Sequence, residues 1–131
     1  MASIKDLFQT ADWKAEKHVP LIEAADKVKK GSIVSVTMTV GKEIAHPNTT
    51  EHHIRWIALF FHPQGEKFPY QIGKFEFSAH GESVQAPNAS TIYTQALVVC
   101  SFKTEKPGTL LASSYCNIHG LWESSKELSV E

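Results

Sequence analysis

The run His53-Ile54-Arg55-Trp56-Ile57-Ala58-Leu59-Phe60-Phe61-His62 decides the fold. Ile54, Trp56, Ala58 and Phe60 alternate with Arg55, Ile57, Leu59 and Phe61, so the segment is apolar on nearly both sides. That pattern predicts a central strand covered on both faces. Upstream, Val34, Val36, Met38 and Val40 alternate with Ser35, Thr37 and Thr39, the period-two signature of a half-buried strand. Downstream, Gln71 to Phe77, Thr91 to Lys103, Leu110 to Tyr115 and Leu121 to Val130 continue the series. Turn signals fall between the runs at Pro63-Gln64-Gly65, His80-Gly81-Glu82, Pro87-Asn88 and Pro107-Gly108. With many strands, close turns and no amphipathic helix of three turns, the chain reads as all-β, an antiparallel β-sandwich or barrel.

No repeat, low-complexity tract or linker divides the sequence, so residues 1–131 are expected to form one domain, with an irregular segment over about 1–30. Pro20 biases Val19 toward an extended backbone, and Leu21 to Lys30, cut short at Gly31, is expected to give at most a turn or a strand end. Of 131 residues, 42% are hydrophobic and 21% charged, a composition suited to one packed core. Thirteen Lys and Arg against fourteen Asp and Glu leave a net charge of -1, which denies the chain the general positive field that nucleic-acid binding needs. Apolar runs such as Ile57 to Phe61 fall far short of the roughly 20 residues that span a bilayer. Asp6 and Asp12 stand where a signal peptide would need an apolar run, and two cysteines are no disulfide framework. The expected location is cytoplasmic, with no membrane or nucleic-acid partner.

Seven histidines are the compositional oddity, and they point to a metal. Polar clusters stand at strand ends, at Glu16-Lys17-His18, at His46-Pro47-Asn48-Thr49-Thr50-Glu51-His52-His53, and at Cys116-Asn117-Ile118-His119-Gly120. Strand ends and loops are where a rigid scaffold mounts ligands. Cys116-x-x-His119 lets a thiolate and an imidazole bind one ion from a single turn, a donor pair suited to zinc, copper or iron. One Cys with three or four His exceeds what a closed structural zinc site takes. His52 and His53 are adjacent, so on an extended backbone they point to opposite faces and only one of them reaches the ion.

These clusters, together with Ala79-His80-Gly81-Glu82-Ser83 and Ser114-Tyr115-Cys116-Asn117-Ile118-His119-Gly120-Leu121-Trp122, resemble superoxide reductase of the neelaredoxin type, from about Trp13 to Trp122. The four-cysteine segment of the forms that carry a desulforedoxin domain is not seen, so the resemblance is to the one-iron class. It implies an immunoglobulin-like β-sandwich, commonly a homotetramer. It further implies one mononuclear iron (Fe2+/Fe3+) per chain, held by His18, His46, His52 and His119 in a plane with Cys116 on the axis. The resemblance, not the spacing, selects His52 over His53. It gives Glu16 as the ligand that closes the ferric site and Lys17 as the cation beside the open ferrous face. The implied activity is one-electron reduction of superoxide to hydrogen peroxide without release of dioxygen, a defence against oxidative stress. The electron would come from rubredoxin or a similar small iron protein.

Other readings stand beside this one. Cys100 reads as a buried structural thiol and His62 as a turn residue, while His80 could support the fold or the ligands. Trp122 lies close enough in sequence to shield the Cys116 loop, and Tyr115 is equally ambiguous. A sandwich that stores or senses iron or zinc would have no use for Glu16 and Lys17 beside an open position. A zinc hydrolase would want fewer protein ligands. Superoxide dismutation is a closer rival, separated by its lack of need for an external reductant.

Overall fold

A computed structural model describes residues 1–131 in full. After a four-residue helix α1 (Ile4–Leu7) come eight strands: β1 (Pro20–Glu23), β2 (Lys27–Val28), β3 (Ile33–Val40), β4 (Ile54–Pro63), β5 (Tyr70–Glu76), β6 (Leu97–Lys103), β7 (Gly108–Cys116) and β8 (Gly120–Val130). They form two sheets, one ordered β1-β3-β6 and the other β2-β8-β7-β4-β5. The sheets face each other across a shared core, which makes the fold the β-sandwich of the immunoglobulin-like kind rather than a closed barrel. The strand pairings are antiparallel, as expected of the sandwich, save that the two-residue β2 runs parallel to the end of β8 through Lys27↔Ser129 and Val28↔Val130, and the isolated bridge of Gln9 with Trp122 is parallel too.

The period-two runs account for the core. Val34, Val36, Met38 and Val40 of β3 are buried, and β7 alternates with Leu110, Ala112, Ser114 and Cys116 inward. Burying an aliphatic side chain of this size contributes roughly 1.5–3 kcal/mol, and one contiguous cluster draws such side chains from both sheets. β4 departs from the simple alternation. Its core residues are Ile54 and then Ile57, Leu59 and Phe61, whereas Trp56 and Phe60 are only partly buried. The register explains the switch of face, because Ile54 pairs with Cys116 and Trp56 with Tyr115, leaving Arg55 as the extra residue of a β-bulge. One more expectation needs adjusting, since the run from Thr91 becomes strand only at Leu97. Leu21 to Lys30 supplies the expected strand end, that of β1, and adds the two-residue β2.

This topology brings three chain segments to one end of the sandwich. Pro20, where β1 starts, pairs with Val40, where β3 stops, and Ile54 at the start of β4 pairs with Cys116 at the end of β7. The segment entering β1, the β3–β4 loop and the β7–β8 turn therefore share that end. Gly120 closes the three-residue β7–β8 turn with φ at +83°, the left-handed conformation such a loop requires.

At the opposite end, Gly108 pairs with Pro63, and a methyl group there would overlap the His62 carbonyl oxygen, the Phe61 ring and Pro63 Cα. Gly108→Ala is expected to lower stability by about 1–3 kcal/mol through overpacking. Gly31→Ala, with open space around the site, carries backbone strain alone. Urea unfolding of the two variants beside the parent measures the difference.

Candidate metal centre

His18 enters the site from the residues just before β1. Its backbone carbonyl accepts a hydrogen bond from the buried Ser114 hydroxyl at 3.2 Å, and its ring lies 5.0 Å from the Trp122 indole at an interplanar angle of 14°. Ser114 and Trp122 pair across β7 and β8, so one rung of the sheet holds both the backbone and the ring of His18. Glu16 turns back on the same residue, with Oε1 accepting from the His18 backbone N–H at 2.7 Å and from Nδ1 at 2.5 Å. A carboxylate accepts only from a protonated nitrogen, so His18 carries its proton on Nδ1 and keeps its Nε2 lone pair for the centre. His46 follows the same logic, since Nδ1 donates to the Pro47 carbonyl at 2.7 Å and Nε2 is left as the lone-pair nitrogen.

The rings of His18, His46, His52 and His119 form a square. Neighbouring centroids lie 4.8 Å apart for His18 and His46, 4.6 Å for His46 and His52, 4.9 Å for His52 and His119, and 4.6 Å for His119 and His18. The His18–His52 diagonal is 6.1 Å. His119 Nδ1 stands 3.1 Å from His18 Nε2 and 3.2 Å from His52 Nε2, and 3.7 Å from the Cys116 sulfur. The donor atoms of His18, His52, Cys116 and His119 lie within 4.8 Å of one another. His46 stands outside that tightest group, but its ring closes the square.

A cation suits these residues. The Nε2 atoms of His18 and His52 both crowd His119 Nδ1, at 3.1 and 3.2 Å, where a single proton cannot serve three nitrogens fully, and His46 Nε2 is buried with no hydrogen-bond partner, an arrangement costly for any polar atom. A soft thiolate among imidazoles selects a transition metal over magnesium or calcium. Cys116 is free and fully buried, and the His119 backbone N–H approaches its sulfur at 3.4 Å, a contact that tempers thiolate charge.

His53 faces away from the square. Its Nδ1 donates to the Thr49 carbonyl at 2.8 Å, and its ring stacks on His80 at 3.6 Å. His80 sets Nε2 2.8 Å from the Phe77 carbonyl oxygen and Nδ1 2.7 Å from the Asn48 side-chain oxygen, bracing the loop that carries His46 and His52. Tyr115 stacks on Trp56, 6.0 Å away, on the other side of the sheet. Cys100 is half-buried in β6 and far along the fold from the donors. Three supports escaped the sequence reading. Ser114 had left a signal, a hydroxyl at an inward position of β7. Gln9, whose side chain donates to the His119 carbonyl at 3.1 Å, and Asn48 had left none.

Burial holds His46 neutral, with its pKa lowered from 6.5 to about 4. Desolvation acts in the same direction on His18 and His52, and the charge of Lys17 adds to it at all three rings. Lys17 is thus close enough to the square to be felt across it. Glu16 is pushed up by desolvation, but the His18 hydrogen bonds and charge outweigh this and leave it lowered. The neutral rings have a consequence for the metal-free chain. Unfolded histidines take up protons near pH 6.5 and folded His46 only near 4, so the unfolded state gains protons first as pH falls. Stability is then full above pH 6.5 and declines toward pH 4. Urea midpoints of the metal-free chain across that window should fall with pH, and less steeply in His46→Gln.

The chain is 58% identical over 126 residues to neelaredoxin of Megalodesulfovibrio gigas, covering 96% of this chain and 97% of that one. Superoxide reductase of Pyrococcus furiosus is 55% identical over 125 residues, covering 95% and 98%. The solved structure of superoxide reductase (neelaredoxin) from Archaeoglobus fulgidus in the reduced form superposes with a TM-score of 0.87 at 60% identity, covering 94% of this chain and 98% of that one. Residues 10–125 match the desulfoferrodoxin family, and with most of its length inside that match the chain belongs to it.

Proposed function

We propose that this chain is a superoxide reductase, whose one iron per chain would be held by His18, His46, His52, His119 and Cys116. The observation that carries the reading is the square of four imidazoles beside the buried Cys116 sulfur, in a chain of this family. Iron in that donor set supplies the single electron by which superoxide, with two protons, becomes hydrogen peroxide. The remaining work falls to the chain's own groups. Cys116 would supply the electron-rich sulfur of that donor set, and the His119 N–H beside it would limit how much density the sulfur gives. Lys17 adds a positive charge beside the rings, which attracts a small anion to a chain of net charge -1 and can orient a proton-donating water. Glu16 holds the His18 proton here, and its side chain, 29% exposed, has room to leave. By the resemblance, it is the carboxylate that would be available to a ferric ion there.

The proposal extends to a single domain over residues 1–131, a rubredoxin-like electron donor, a homotetramer and a cytoplasmic location. One contiguous core supports the first, and the family resemblance supports the donor and the assembly. Two free cysteines accord with a reducing compartment, and no helix is long and apolar enough to cross a membrane.

Visible absorption of the iron-loaded chain, reduced and then oxidised, tests the reading. A thiolate-to-iron charge-transfer band should appear on oxidation and bleach on reduction, and Cys116→Ser should abolish it; a band that survives the substitution refutes the axial role. Lys17→Ala should keep the band while slowing the encounter with superoxide by about tenfold and weakening its dependence on ionic strength. Pulse radiolysis at several salt concentrations gives both quantities. Dioxygen formed in step with superoxide loss, with no external reductant, would instead identify dismutation.

A further inference from the structure

The ladder between β4 and β7 ends at Ile54↔Cys116, yet the two segments stay bonded beyond it through one residue. The Asn117 backbone N–H donates to the His53 carbonyl at 3.1 Å, and Asn117 Oδ1 accepts from the His53 N–H at 2.8 Å. His53 thereby exchanges both backbone bonds with a single residue, as in the narrow pair of an antiparallel ladder, with a side-chain oxygen standing in for the backbone carbonyl. Asn117 Nδ2 then reaches one step further and donates to the Glu51 carbonyl at 2.9 Å. His52 lies between the two residues so held.

We propose that Asn117 is a positioning residue that sets the distance between His52 and the Cys116–His119 pair. Every hydrogen bond from the backbone of residues 51–53 to the β7–β8 turn goes to Asn117. The other bonds of this stretch are local, such as the Thr49 N–H to the His52 carbonyl at 3.0 Å, or run to the separate loop around Asn88. Beyond the Ile54↔Cys116 rung where the ladder ends, nothing else ties the backbone flanking His52 to the turn that carries Cys116 and His119. Asparagine suits the task because it offers an acceptor and a donor from one planar group. Aspartate keeps the acceptor for the His53 N–H but sets a carboxylate oxygen against the Glu51 carbonyl. Alanine keeps only the backbone bond. A residue that holds ligands at the right separation acts on the metal without touching it.

This inference rests on the metal-centre reading above, and cobalt(II) is a probe that separates the two. The full chain is loaded with cobalt(II) as parent, Asn117→Asp and Asn117→Ala. Affinity is measured against a competing chelator, and the thiolate-to-cobalt charge-transfer and ligand-field bands are recorded. Urea unfolding of the metal-free forms runs alongside. The expected result is a loss of affinity of about 10–100-fold in Asn117→Ala, with shifted ligand-field bands, and an intermediate loss in Asn117→Asp. A residue that merely stabilised the turn would move the urea midpoint and leave the spectrum of the loaded protein where it was. Parent-like bands with affinity within about twofold in Asn117→Ala would overturn the proposal, whatever the unfolding shows. Should Asn117→Ala not fold, Asn117→Asp decides on the same readouts and thresholds. A parent with no thiolate-to-cobalt band removes the metal centre itself, a failure distinguishable from that of Asn117.

Discussion

Four imidazole nitrogens and a thiolate sulfur at one end of a sandwich repel one another unless a cation draws on their lone pairs. Water cannot substitute fully, because Cys116 and His18 are buried and His46 Nε2 has no hydrogen-bond partner. The structure bears this cost through rigidity around the donors. Ser114, Trp122 and Glu16 fix His18, the Pro47 carbonyl fixes the tautomer of His46, and the hairpin turn fixes Cys116 against His119. Metal affinity in such a site is preorganisation, in which the fold spends its core energy before the ion arrives.

The core and the site are built from the same strands. In β7, Leu110 and Ala112 pack the interior, Ser114 turns its hydroxyl to the His18 carbonyl, and Cys116 presents its sulfur, all from inward positions of one strand. Moving the strand by one residue would send every one of these groups to the opposite face. The bulge at Arg55 is part of this arrangement, because it lets Ile54 face inward opposite Cys116 while Ile57, Leu59 and Phe61 still fill the core. Loops carry the ligands, but the strand register aims them.

How much of this was legible depended on how far each feature reached along the chain. The strand β3 follows from its alternation, and β7 was legible as a β-rich run between turns, whereas the opposite orientations of His52 and His53 arise in a bend before β4 and not from the extended backbone on which the sequence reading rested. The bulge in β4 was not legible, because a run that is apolar on both sides does not mark which residue is extra. Nor was the fate of Thr91 to Ala96. Its residues favour strands, yet the Thr94 N–H and hydroxyl bond to the Ala79 carbonyl and the Thr94 carbonyl accepts from Asn48, so the segment braces a loop instead of extending β6. Of the supports, Asn117 lay in plain view between Cys116 and His119, but its bonds to Glu51 and His53 span 66 and 64 residues.

The sequence by itself determined an all-β chain, a histidine-rich donor inventory, and the one pair of donors, Cys116 and His119, close enough in sequence to share a turn. Only the tertiary structure decided which nitrogens face the centre. His18 Nε2 meets His119 Nδ1 across 101 residues, and His52 Nε2 meets the same atom across 67. Local propensity acts over a few residues and sets where strands run. The choice of ring nitrogen depends on what bonds the other nitrogen, and on register and bulges accumulated across both sheets, so it exists only once the strands have paired.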